Sequence, residues 1–202
     1  MNNVIIDSEC VRLKKFYTEL FEKIIEDEKR ILYVGYEEDD IILPILAKFN
    51  VFVVAIDRLI RSGKPYVNVT YRMMEFLDID IAERYDMVLF SFALHENSSG
   101  IQKEMINLAK ILSNKIVIIE PMPRIDVVGK AYEEKVRKIS INKNYQKHYY
   151  NIEHWKQLIN FDKEEDKDFF FERSNVQIKL KFNGKDVNIC MQDILVLIKY
   201  ER

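Results

Sequence analysis

Residues 31–57, ILYVGYEEDDIILPILAKFNVFVVAID, decide how the rest of the chain is read. Ile31–Val34 is a short apolar run of the kind a parallel strand buried on both faces carries. Gly35 follows at once, where a chain leaving a strand needs a residue without a side chain. The acidic loop Glu37–Asp40 leads into Ile41–Phe49, whose apolar residues Ile41, Ile42, Ile45, Leu46 and Phe49 recur at helical spacing. Pro44 fits only near a helix start, so the helix is expected to begin no earlier than about Asp40. Val51–Ile56 is a second buried strand, and Asp57 stands at its carboxyl end, 22 residues after Gly35. In this layout a helix start and a strand-end acid hold an adenosine-containing ligand, the acid accepting from ribose hydroxyls.

Composition bounds that reading. The 202 residues suit one domain with a large core, and 48% hydrophobic residues with five glycines and four prolines indicate a globular chain. With 31 basic against 33 acidic residues and no long basic run, nucleic acid is disfavoured as a partner. The two cysteines, Cys10 and Cys190, are isolated, which suits a reducing cytoplasm. No secretory signal and no apolar run of about 18 residues is present, so a soluble chain without a membrane partner is expected.

Upstream of the quoted stretch, Asp7 or Ser8 is placed to cap a helix running to about Lys29. Its stripe of Leu13, Phe16, Tyr17, Leu20, Phe21, Ile24 and Ile25 is of the type that packs a helix across a sheet, the other reading being a lid over a ligand site. Downstream, a polar segment precedes a third strand, Val67–Tyr71, and the loop Arg72–Glu75. Met73 and Met74 there either flank a base or fill the core, as Met readily does. Tyr85–Phe92 reads as a fourth buried strand that runs into Ala93-Leu94-His95-Glu96-Asn97. His95 and Glu96 thus fall beyond the carboxyl end of a central strand, where open α/β sheets bind their ligands. The histidine is a general base, a substrate contact or the cap of the next helix. Neither His148 nor His154 lies at a short ligand spacing from it, so no metal site is read.

Ile101–Leu112 is an amphipathic helix and Lys115–Glu120 a fifth strand, closed by Pro121 and Pro123. Glu120 and Arg124 either face the pocket or pair with each other. Asp126–Ile139 reads as a helix, and the aromatic segment Tyr145, His148, Tyr149, Tyr150 either covers a substrate or packs a helix. Asn151 is placed to cap a helix over Ile152–Asn160. Phe169–Phe182 and Asp186–Tyr200 are strand-like and joined through Asn183-Gly184, a strong hairpin dipeptide.

In order and spacing the chain resembles the class I S-adenosylmethionine-dependent methyltransferases over roughly 31–200. The resemblance rests on Ile31–Gly35, the strand-end Asp57, Tyr85–Phe92 with its Leu94-His95-Glu96 tail, Ile116–Pro121 and the closing hairpin. The fragments SFALHEN and KIVIIEP look like the small-molecule branch. What the resemblance implies is an α/β, Rossmann-like three-layer fold with a mostly parallel seven-stranded sheet ending in an antiparallel hairpin. It implies one domain over 1–202, with 1–30 as a helical segment packed on it. S-adenosylmethionine is the implied cofactor and a small molecule the implied methyl acceptor; a homodimer is compatible with the sequence. Gly35 would sit beside the methionine part, Asp57 on the ribose hydroxyls, and Met73, Met74 and Glu75 around adenine. Ser91 and Phe92 would approach the methyl group, and Tyr36, Glu37 and Arg58 complete the cofactor-binding candidates. His95 and Glu96 are the candidates for proton removal, and Glu120, Tyr149 and Tyr150 for the acceptor side. Glu37 and Asp39 stand where the family has glycines, and Tyr33 where it often has an acid. A methyltransferase-like binding or scaffold protein without transfer activity is therefore the alternative. A nicotinamide-dependent oxidoreductase is disfavoured by the absent G-x-G-x-x-G and by the terminal hairpin.

Overall fold

The computed structural model describes residues 2–36, 41–58, 65–122, 150–172, 177–182, 185–190 and 193–200. The acidic loop 37–40, the segment 123–149 with the expected helix Asp126–Ile139, and the turn Asn183-Gly184 lie outside the described residues.

Seven strands form one sheet in the order β3-β2-β1-β4-β5-β9-β6. β1 (Arg30–Val34), β2 (Phe52–Asp57), β3 (Val69–Met73), β4 (Met87–Ser91) and β5 (Lys115–Met122) are parallel. β9 (Asp193–Tyr200) runs antiparallel between β5 and the edge strand β6 (Lys167–Phe171). The sheet thus ends antiparallel, but its closing pair is β6 with β9. The ribbon spanning Asn183-Gly184, β7 (Gln177–Phe182) with β8 (Lys185–Cys190), is a separate two-stranded sheet.

Alternate residues of the central strands feed two apolar layers, as a sheet covered on both faces requires. Tyr33, Val53, Ala55, Met87, Leu89 and Val117 pack under α1 (Asn2–Ile24) and α2 (Leu43–Leu46). Leu32, Val54, Val88, Phe90 and Ile118 pack under α3 (Ser99–Leu112) and α4 (Ile152–Ile159). The α1 stripe is as expected: Leu13, Tyr17, Leu20, Phe21 and Ile24 are buried. Its bounds are not: Asp7 and Ser8 fall inside the helix, which ends at Ile24. There the carbonyl of Ile24 accepts from the Lys115 ammonium, satisfying an orphan acceptor of the last turn.

The helix expected over Ile41–Phe49 is only Leu43–Leu46. Beyond it Lys48 and Phe49 donate three residues back, at 3.0 Å each, and the turn tightens instead of continuing. The Asn68 amide then takes up the carbonyls of Ala47, Phe49 and Val51. The third strand begins at Val69 rather than Val67, whose side chain is fully exposed. Asn151 caps α4 as expected, its side chain accepting from the His154 amide at 2.9 Å. Among the described residues no helix is long and apolar enough to cross a membrane.

Candidate functional site

From β1 the chain continues through β2 to β3 on one side, whereas β4 and β5 lie on the other. The order reverses between β1 and β4, and the crevice outside the carboxyl ends of those strands is where such sheets bind ligands. Gly35 stands at that point with φ 87°. A Cβ there would lie 2.6 Å from the Ser91 carbonyl oxygen and 2.9 Å from Ala93 Cβ. Two strand exits therefore touch through a position that tolerates no side chain.

A cavity of about 350 Å³ opens beside this contact. Val34 and Gly35 reach it from β1, and Ile56, Asp57 and Arg58 from the end of β2. Met74 to Asp78 form its wall after β3, Phe92, Ala93, Glu96 and Asn97 its wall after β4. Ile101 and Met105 close it from α3. Among these described residues four carboxylates, Asp57, Glu75, Asp78 and Glu96, face one cation, Arg58. Arg58 donates to Glu96 at 3.1 Å, with the two side chains 30% and 33% exposed. A pair so exposed adds little stability, so its effect is to tie the β2 exit to the β4 exit at the cavity.

Beside the cavity, Leu94–Glu96 forms a single 3-10 turn anchored from below. Glu120, fully buried at the end of β5, accepts from the Leu94 amide with one oxygen and lies 2.8 Å from His95 Nδ1 with the other. Gln102 of α3 donates to the carbonyls of Leu94 and Asn97, 3.0 Å each. Because its nitrogen serves both carbonyls, its oxygen is an acceptor, and His154 Nε2 at 3.0 Å is the donor. Burial, with Lys103 nearby, lowers the His154 pKa.

No protein-family model matches the sequence, and no curated protein matches it. Solved structures do match in three dimensions. The YcgJ protein of Bacillus subtilis superposes with a TM-score of 0.62 at 12% identity, over 93% of this chain and 99% of that one. The N-methyltransferase NodS of Bradyrhizobium japonicum, in complex with S-adenosyl-L-homocysteine, gives 0.57 at 12% identity over 93% and 86%. The N-terminal domain of EvdMO1 with S-adenosylhomocysteine bound gives 0.57 at 14% identity over 94% and 81%. The chain has the fold of the class I S-adenosylmethionine-dependent methyltransferases.

On this methyltransferase fold the residues singled out by sequence divide into three groups. Gly35, Asp57, Arg58, Met74, Glu75, Phe92 and Glu96 are brought together on the cavity wall. Six others are placed elsewhere. Tyr36 is buried with its ring 5.2 Å from Tyr71, Met73 points outward at 61% exposure, and Ser91 is buried with its carbonyl against Gly35. His95 and Glu120 are buried against one another, because a carboxylate inside the protein needs a donor. Tyr150 stacks on His154, ring centroids 3.6 Å apart, and meets Trp155 edge-on. Glu37 and Tyr149 lie outside the described residues.

Phe76, Leu77, Asp78, Asn97, Ile101 and Met105 complete the wall without having stood out in the sequence. The signal for the last two was present: they are four residues apart at the start of a helix that follows a strand end, and so share its face. Among the described residues no group of three or more His, Cys, Asp or Glu is placed to hold a metal ion.

Proposed function

We propose that the chain transfers a methyl group from S-adenosylmethionine to a small-molecule acceptor. The observation that carries this reading is Asp57, at the end of β2, sharing one cavity wall with Gly35 and Glu75. The cavity volume of about 350 Å³ falls within the range of small-molecule sites, roughly 300–1,000 Å³. Two structures of the same fold hold S-adenosylhomocysteine.

The cofactor supplies an electrophilic methyl group on a positively charged sulfur. Asp57 accepts from the ribose hydroxyls, Glu75 from the exocyclic amine, and Met74 offers apolar surface to the base. Gly35 lets the backbone approach the ligand, and the excess of carboxylates over Arg58 favours a cationic one. At about 4 Å near a protein surface each such charge contributes up to roughly 4 kcal/mol before desolvation. Positioning accounts for most of the rate. Where the acceptor loses a proton on attack, Glu96 takes it at the cavity.

Calorimetry with S-adenosylmethionine, S-adenosylhomocysteine and NAD in parallel tests the reading. Binding of the first two and not of NAD is expected; binding of NAD alone would overturn it. Glu37 and Asp39, standing in place of glycines, favour a second reading as a scaffold without transfer activity. That reading predicts no binding by the natural chain and its restoration by glycine at both positions.

A further inference from the structure

We propose that Phe92 is the charge-reading residue of this site: its ring forms the wall against the donor's sulfonium and favours S-adenosylmethionine over S-adenosylhomocysteine. The inference rests on the proposed methyl-transfer function and adds to it a residue that tells substrate from product.

Three observations about Phe92 converge. Met87 and Leu89 face the α1 layer of the core, and Val88 and Phe90 face the α3 layer. Continuing that alternation would put Phe92 with Val88 and Phe90. Instead Phe92 packs against the α1 layer. The reversal occurs where its backbone takes φ 53°, a left-handed conformation that is a genuine outlier for a bulky residue. That conformation is held from two sides. The Phe92 amide donates to the Ile119 carbonyl at 2.8 Å, and the residues flanking Phe92 are those that crowd Gly35. Strain kept in place at a cavity edge points to a side chain needed there.

Its place along the ligand follows from the strand order. Phe92 belongs to the cavity wall while packing on the α1 layer, whereas Val34, Ile56, Met74, Phe76, Ala93 and Met105 of that wall belong to the α3 layer. If Glu75 after β3 holds adenine and Asp57 after β2 holds the ribose, the part of the ligand beyond the ribose would be held by the exits of β1 and β4. Gly35 and Phe92 are the exits of those two strands. A ring beside a sulfonium attracts it through its negative face, and a neutral thioether gains nothing comparable.

The experiment compares affinities for S-adenosylmethionine and S-adenosylhomocysteine in the natural chain, in Phe92→Leu and in Phe92→Tyr. Leu keeps apolar bulk without a ring, and Tyr keeps the ring. In Phe92→Leu the ratio of the two affinities is expected to shift against S-adenosylmethionine roughly three- to thirtyfold, while Phe92→Tyr keeps the natural ratio. If Phe92→Leu does not fold, Phe92→Asn gives the same readout, since Asn accepts left-handed backbone. Both ligands weakened alike, or neither, in a chain that binds both would overturn the role of Phe92 and leave the methyltransferase reading standing. A natural chain that binds neither ligand overturns that reading, and this inference with it.

Discussion

The carboxylate of Glu120 sits 2.8 Å from Nδ1 of His95, and both side chains are buried. Its other oxygen holds the Leu94 amide, so one acid ties both His95 and the start of the turn that carries Glu96 to the cavity. Glu120→Ala removes at once the acceptor of the buried Leu94 amide and the group facing His95 Nδ1. A loss of about 2–5 kcal/mol in urea denaturation is expected. Glu120→Gln keeps an oxygen for Leu94 and is expected to lose less. Equal losses in the two variants would mean that the turn does not depend on that oxygen.

Gly35→Ala meets two obstacles at once. The backbone is left-handed, and the new methyl would lie 2.6 Å from a main-chain oxygen that no rotamer change can move. A thermal or urea midpoint lowered by at least about 1 kcal/mol of stability is expected, more than a simple Gly→Ala change at a relaxed site. A variant as stable as the natural chain would show that the β1 and β4 exits separate easily.

Asp57→Ala tests the ribose contact. Affinity for S-adenosylhomocysteine is expected to fall by about 1.5–3 kcal/mol, the range for hydrogen bonds to a charged group. Unchanged affinity in a folded variant would remove Asp57 from the site.

Away from the cavity, Tyr85 gives the chain an alkaline signature. Burial, reinforced by its 2.6 Å hydrogen bond to Glu83, pushes the phenol up to about 12 from 10.0. A phenol whose folded value is raised contributes stability that is fully present below pH 10 and is lost as pH rises toward 12. The natural chain should therefore lose stability over that interval faster than Tyr85→Phe, as measured by urea midpoints across the pH series. Parallel curves for the two proteins would contradict this.

The parallel half of the sheet was legible in the sequence because strands buried on both faces leave uninterrupted apolar runs, as at Ile31–Val34 and Ile116–Ile119. The Asn151 cap was legible for the same reason of locality: donor and acceptor lie three residues apart. What escaped the reading depends on distant partners. Asn183-Gly184 gives a strong local hairpin signal, while the pairing of β6 with β9 that closes the sheet leaves no local trace. The shortness of α2 is bound up with Asn68, which reaches back to three carbonyls after its last turn. At the site, Asp57 was readable from its place at a strand end. The side-chain directions at the neighbouring exits were not, since they turn on positive φ at Gly35 and at Phe92. His95 and Glu120, 25 residues apart, meet only because β4 and β5 are neighbours.

Phe171 of β6 lies directly across from Ile194 of β9. The chain that carries the β7–β8 ribbon therefore leaves the main sheet and rejoins it at adjacent points, about 5 Å apart by the ordinary spacing of facing residues. An excursion whose two ends already touch is topologically a graft. Its length is set by what it carries and not by any gap it must span, and doubling it adds only about 0.6 kcal/mol of loop-closure entropy. The β6–β9 register, with Phe171 already facing Ile194, therefore asks for no particular length of chain between 172 and 193.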